Sequence, residues 1–90
     1  MYGYKFSPRA DREISTLSAR APKRDVERLL QAIDKLGNEP RHHGVKKMKG
    51  IDELYRVRVG DYRVIYKIYD STQMALISRV LRRTETTYRT

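Results

Sequence analysis

The chain has 90 residues, with 20 Lys plus Arg against 11 Asp plus Glu, a net charge of +9 and a pI near 10.1. This length predicts one small domain over residues 1–90, and the charge favours a polyanionic partner such as RNA, DNA or an acidic protein. Because the sequence has no cysteine, disulfides, thiolate zinc sites and a cysteine nucleophile are excluded. A signal-like segment and a membrane-length apolar run are also absent, which predicts a cytoplasmic protein without a membrane partner.

The first half of the chain predicts a strand followed by two helices. Tyr2 to Phe6 alternates like a short strand, and Ser7 then Pro8 are typical of an N-cap and first helical position. We expect the first helix to run from Pro8 towards Ala19. A second helix begins at Lys23, and its apolar stripe contains Val26, Leu29, Leu30, Ile33 and Leu36.

The second helix is predicted to end at Gly37, a C-cap that Pro40 reinforces. Residues 38–48 are predicted to be a loop. The segment 53–69 reads ELYRVRVGDYRVIYKIY and predicts a hairpin turning at Gly60 and Asp61. A further strand is predicted over Met74 to Leu81, before a polar tail.

Alternation along the hairpin separates two faces. One, the core face, carries only apolar and tyrosine side chains: Tyr55, Val57, Val59, Tyr62, Val64, Tyr66 and Ile68. The other, called here the arginine face, carries Arg56, Arg58, Arg63 and Lys67 together with Ile65 and Tyr69. Like charges placed opposite each other destabilise a strand pair. The pattern therefore indicates an anion at this face, and a phosphate backbone is the leading candidate.

These elements predict an α+β fold: an N-terminal strand, a two-helix hairpin and a three-stranded antiparallel meander. The first strand is expected at one edge of the sheet or beside the last strand. The helices, as an antiparallel pair, are expected to cover the core face. The arginine face then stays open.

The element order and the segments KKMKGIDELYRVRVGDYRVIYKIYD and ISRVLRRTETTYR resemble the RelE/ParE superfamily of toxin–antitoxin proteins. Within it, the chain is most similar to RelE-like toxins, which cut messenger RNA in the ribosomal A site. The resemblance implies attack by the ribose 2′-hydroxyl on its own 3′ phosphate, with no metal and no cofactor. It assigns catalytic roles to Arg56, Arg58, Arg63, one of Arg82 and Arg83, and the base-stacking Tyr88.

The general base of such a reaction stays open at this stage. Arginine does not lose its proton in a protein, so Arg56 and Arg58 suit charge stabilisation better than proton transfer. Lys46, Lys47 and Lys49 are candidate bases, and together with Lys67 they are expected to bind RNA. His42 and His43 have suitable acid–base chemistry, but they lie in a loop with no predicted contact to the arginine face.

The resemblance also implies partners: a RelB-like antitoxin, the ribosome and mRNA, with operator DNA bound only through the antitoxin complex. Two alternatives remain. One is a ParE-like inhibitor of DNA gyrase, a branch that shares the fold and usually lacks the catalytic cluster. The other is a basic RNA-binding relative without catalytic activity.

Overall fold

The computed structural model describes residues 3–41, 46–47 and 54–82. Its elements in chain order are β1 (Gly3–Phe6), α1 (Pro8–Arg20), α2 (Lys23–Asn38), β2 (Lys46–Lys47), β3 (Leu54–Val59), β4 (Tyr62–Tyr69) and β5 (Met74–Arg82). The strands form a five-stranded sheet in the order β1-β5-β4-β3-β2. β1 runs parallel to β5 and the other neighbours are antiparallel. The α+β prediction is therefore confirmed, with β1 beside the last strand.

The hairpin of β3 and β4 has the predicted register. Val59 lies opposite Tyr62 and Arg58 lies opposite Arg63. Gly60 has a φ of +59°, in the left-handed region, and Asp61 completes the turn without a positive φ. A residue with a Cβ is strained at such a φ, so glycine at the first turn position fixes the hairpin and its register.

Both helices begin where the sequence predicts. The Ser7 hydroxyl accepts a hydrogen bond from the Ala10 amide at 3.1 Å, and it donates to the Ser78 carbonyl oxygen at 3.1 Å. One side chain thus caps α1 and ties its first turn to β5. α1 packs against β5 and β1, while α2 packs against β1, β3 and β5.

The core lies between these helices and the core face of the sheet. Its largest fully buried side chains are Tyr66, Leu29, Ile33, Leu36, Ile77 and Val64. Tyr62 is also buried and Tyr55 packs partly buried against the cluster, so the prediction that these tyrosines belong to the core is confirmed. None of the helices in the described part of the chain is long and apolar enough to cross a membrane.

Three local predictions are wrong. Gly37 is not a C-cap: it is a buried residue inside α2, which continues to Asn38. Leu30 belongs to the predicted apolar stripe, yet it is 46% exposed because the packed face of α2 is centred on Leu29, Ile33 and Leu36. The stretch predicted as a loop contains β2, which pairs with β3 and extends the sheet.

A β-bulge interrupts the pairing of β4 with β5. Tyr66 lies opposite Ile77 and Ile65 lies opposite Arg79, so Ser78 is an extra residue in β5. The bulge shifts the alternation by one position. As a result Ile77 and Val80, three residues apart, both point into the core.

Candidate functional site

The arginine face lies on the side of β3 and β4 away from the core. Arg58 and Arg63 are direct cross-strand partners, and Arg56 lies opposite Ile65 on the same face. The Cβ atoms of directly opposed residues are about 4.5–5.5 Å apart. Two guanidinium side chains therefore leave the sheet side by side, next to a third, which is an arrangement that attracts phosphate.

Burial separates this face from the core face residue by residue. Along β4 the exposure of the side chains alternates. The buried ones are Tyr62, Val64, Tyr66 and Ile68. Those of Arg63, Ile65 and Lys67 are partly exposed, and that of Tyr69 is exposed. On β3, Arg58 is exposed and Arg56 is intermediate. Solvent therefore reaches the charged side chains of this face, unlike those of the core face.

The bulge decides how the end of β5 faces this site. Leu81 lies opposite Arg63, and Arg82 lies opposite Tyr62. Directly opposed residues share a face, so Arg82 starts on the side that the helices cover. It lines a groove of about 410 Å³ between α1 and β5, together with Arg9, Arg12, Glu13, Thr16, Leu17, Val80 and Leu81.

The lysines predicted to bind RNA fall in different places. Lys67 lies on the arginine face opposite Leu54. The backbone of Lys46 pairs with Arg56, whereas Lys47 is exposed and pairs with Tyr55 of the core face. Lys49, His42, His43, Arg83 and Tyr88 lie outside the described residues.

The tyrosines of the core face anchor α2 and the segment after it. The Tyr62 hydroxyl donates to Asp25 of α2 at 3.3 Å, and the Tyr66 hydroxyl donates to the Pro40 carbonyl oxygen. Burial raises the pKa of both phenols, and for Tyr62 the Asp25 carboxylate adds to this effect. Both therefore stay protonated hydrogen-bond donors at neutral pH.

Sequence reasoning missed the role of Arg41. Its guanidinium donates to both carboxylate oxygens of Asp70, at 2.8 and 2.9 Å, and to the Tyr55 hydroxyl at 3.2 Å. The same group lies 5.4 Å from the Tyr55 ring centroid, and that ring stacks on Tyr66. Arg41 thus joins the segment after α2 to the end of β4, a contact that no local sequence signal predicts.

Sequence reasoning also missed Glu13 and Arg79. Arg79 donates to Glu13 through Nε at 2.9 Å and forms a 2.8 Å ion pair with it through Nη2, while the Val80 amide donates to the other carboxylate oxygen at 2.8 Å. Residues 13 and 79 are 66 positions apart, so no periodic pattern in the sequence predicts the pair.

Among the residues that the structure describes, no group of three or more His, Cys, Asp or Glu side chains is placed to hold a metal ion.

The sequence of this chain is similar to those of known proteins. A family model described as the ParE toxin of the type II toxin–antitoxin system parDE matches residues 4–87. A protein of Methanocaldococcus jannaschii named "Putative toxin RelE1" is 31% identical over 65 residues, which cover 69% of this chain and 72% of that protein.

Two solved structures extend the likeness to three dimensions. The archaeal RelE–RelB complex from Pyrococcus horikoshii matches with a TM-score of 0.76 and 30% identity, over 93% of this chain and 97% of that one. The toxin–antitoxin complex RelBE2 from Mycobacterium tuberculosis matches with a TM-score of 0.74 and 27% identity, over 91% and 98% of the two chains.

Proposed function

Because this chain belongs to the RelE/ParE superfamily of toxins of type II toxin–antitoxin systems, we propose that it is a ribosome-dependent endoribonuclease. It cuts mRNA in the A site in the cytoplasm and so stops translation. The proposed toxin domain spans residues 1–90. One observation carries the proposal: Arg58 and Arg63 are direct cross-strand partners on a face that the core does not use.

The proposed chemistry suits this set of side chains. When the ribose 2′-hydroxyl attacks the adjacent phosphate, negative charge grows on the phosphorane oxygens. Guanidinium groups fixed on a sheet stabilise that charge without having to reorganise. Arg56, Arg58 and Arg63 supply this stabilisation, and Lys67 lies on the same face to bind the flanking phosphate backbone.

The tail supplies the remaining proposed groups. Arg82 or Arg83 adds a further cation and Tyr88 stacks on a base next to the cut. Lys46 is the first candidate for the general base, since its backbone pairs with that of Arg56. Lys47 and Lys49 join Lys46 in binding RNA.

Besides the ribosome and mRNA, we expect this chain to have a cognate antitoxin as its partner. Both solved relatives described above are complexes of a toxin with its antitoxin. We therefore expect a RelB-like antitoxin to bind this chain, and operator DNA to be contacted only through that complex.

Primer extension on a defined mRNA in a translation extract tests the nuclease proposal, with the purified chain added and ribosomes present or omitted. The expected result is cleavage within A-site codons only when ribosomes are present. Cleavage without ribosomes would assign the chain to free ribonucleases. No cleavage in either reaction would reject the proposal.

Inhibition of DNA gyrase is the second candidate function. The observation that favours it is the family model, whose description is that of the ParE toxin. Arginine in place of a proton-accepting residue at both positions 56 and 58 also fits a binding surface without catalysis. A supercoiling assay with purified gyrase separates the two functions: inhibition without mRNA cleavage selects the gyrase function. Activity in neither assay leaves a basic RNA-binding relative without catalysis.

A further inference from the structure

Glu13 binds the outer edge of β5 at the point where the neighbouring strand ends. β1 pairs with β5 only as far as Ile77, and the Ser7 amide makes the last backbone bond, to the Ile77 carbonyl oxygen at 2.8 Å. Beyond that point no strand in the described part of the chain lies beside the outward backbone groups of β5. The Val80 amide donates there to the Glu13 carboxylate, at 2.8 Å.

The bulge creates this contact. It shifts the alternation of β5 after Ile77, so the outward amide belongs to Val80. The same carboxylate holds Arg79 through its other oxygen. Both side chains are mostly covered, at 21% exposure for Glu13 and 30% for Arg79, so these charge-assisted hydrogen bonds are stronger than those of an exposed ion pair.

We propose that Glu13 is a positioning residue for the arginine face. Two consecutive residues of β5 connect Glu13 to the arginine face. The Val80 amide donates to Glu13, and the next residue, Leu81, lies opposite Arg63. Glu13 thereby fixes the backbone of β5 just before Arg82 and the tail that carries Arg83 and Tyr88. It touches no RNA itself, and this role rests on the nuclease function proposed above.

Arg9 provides a matched control. It is the i,i+4 neighbour of Glu13, its Nε lies 4.0 Å from the carboxylate, and its side chain is 63% exposed. Such an exposed pair contributes little to stability. Arg9→Gln therefore removes one charge from the same groove without releasing β5.

The first measurement is amide hydrogen exchange followed by NMR on the full chain. In Glu13→Gln the charge that holds Arg79 is lost, so the protection of the Val80 amide should fall at least about tenfold. The amide signals of residues 80–82 should shift as well. Arg9→Gln should leave both unchanged. Perturbations confined to α1 in Glu13→Gln would overturn the proposal.

The second measurement is ribosome-dependent cleavage at a temperature where every variant is fully folded by circular dichroism. Glu13→Gln should lower kcat about tenfold or more and change KM less than about threefold, because the binding cations remain but the end of β5 is displaced. Arg79→Lys keeps the positive charge and leaves the hydrogen bond from Val80 to Glu13 in place, so this variant should retain most of the wild-type activity. Where Glu13→Gln fails to fold, Glu13→Asp is the second variant: its shorter side chain keeps the charge but draws the carboxylate away from the Val80 amide, so kcat should fall as well. A kcat equal to that of the wild type in Glu13→Gln, or in Glu13→Asp where that variant replaces it, would reject the role of Glu13.

The two proposals fail in different ways. Where the wild-type chain does not cleave mRNA, the nuclease function is rejected and Glu13 is judged by amide exchange alone. Unchanged protection of Val80 in Glu13→Gln then rejects the positioning role too. Where the wild type cleaves and Glu13→Gln cleaves equally well, only the positioning role is rejected.

Discussion

The two faces of β3 and β4 share a backbone but differ in almost every other property. Val64 and Tyr66 are fully buried, while Arg63, between Tyr62 and Val64, lies on the half-buried opposite face. One face therefore holds the fold together and the other concentrates positive charge. A substitution on these strands should therefore affect either stability or activity, depending on which face its side chain occupies.

The largest effect on stability is expected on the core face. Tyr66→Ala removes a fully buried ring and leaves a cavity, so the free energy of unfolding should fall by about 3–5 kcal/mol. Tyr69→Ala, on the same strand but 37% exposed, should cost about 1 kcal/mol or less. Urea denaturation measures both, and equal losses would contradict the division between the faces.

The arginine face should show the opposite behaviour. Arg63→Ala is expected to lower ribosome-dependent cleavage about 10²–10³-fold, because a fixed donor to the developing phosphorane charge is lost. Its free energy of unfolding should change by about 1 kcal/mol or less, well below the loss expected for Tyr66→Ala. Arg20→Ala, an exposed charge in the last turn of α1, is the control. A large loss of stability in Arg63→Ala would show that this side chain serves the fold.

Arg82 and Arg83 test the same division between the two faces. Because Arg82 lies opposite Tyr62 on the helix-covered side, Arg82→Ala should lower cleavage less than Arg63→Ala, by about tenfold at most. Arg83→Ala should then have the larger effect of the two tail substitutions. Cleavage rates of the two variants decide this, and the reverse order would mean that Arg82 reaches the arginine face.

Stability at alkaline pH tests the core tyrosines. Burial raises the pKa of Tyr66 above the ordinary value of 10.0, so above pH 10 the folded state keeps a proton that the unfolded chain loses. The contribution of Tyr66 to the free energy of unfolding is therefore fully present below pH 10 and is lost as the pH rises beyond it. Tyr66→Phe removes the hydrogen bond to Pro40 at a cost of about 1 kcal/mol near pH 7. It should also make the alkaline decline less steep, as measured by urea denaturation from pH 8 to pH 11.

A small effect, on stability alone, is expected for Arg41. Its ion pair with Asp70 is bidentate, but the two side chains are 47% and 60% exposed, so solvent screens the attraction. Arg41→Ala should lower the free energy of unfolding by about 1 kcal/mol or less, and 1 M salt should narrow the difference from the wild type. Arg41→Lys keeps the charge but loses the planar guanidinium group that binds both carboxylate oxygens of Asp70. A lysine variant as stable as the wild type would contradict a role for this bidentate geometry.

Local sequence patterns correctly predicted those features that depend only on residues close together in the chain. Gly60 with Asp61 fixed the turn, and two-residue alternation then predicted the register of the hairpin and the contents of both faces. Ser7 and Pro8 likewise predicted the start of α1. Gly37 misled the prediction, because a glycine near a helix end is a good C-cap only where the backbone turns left-handed, and here it stays buried within α2.

Periodicities of two and 3.6 residues are enough to predict the α+β order, the hairpin register and the separation of a core face from an arginine face. The other features of the site arise only in the assembled fold. The bulge at Ser78 places Leu81 rather than Val80 opposite Arg63, and Glu13 and Arg41 contact partners 66 and 29 positions away. The physical reason is that such contacts depend on which strand ends beside which helix, and this exists only after the sheet has assembled.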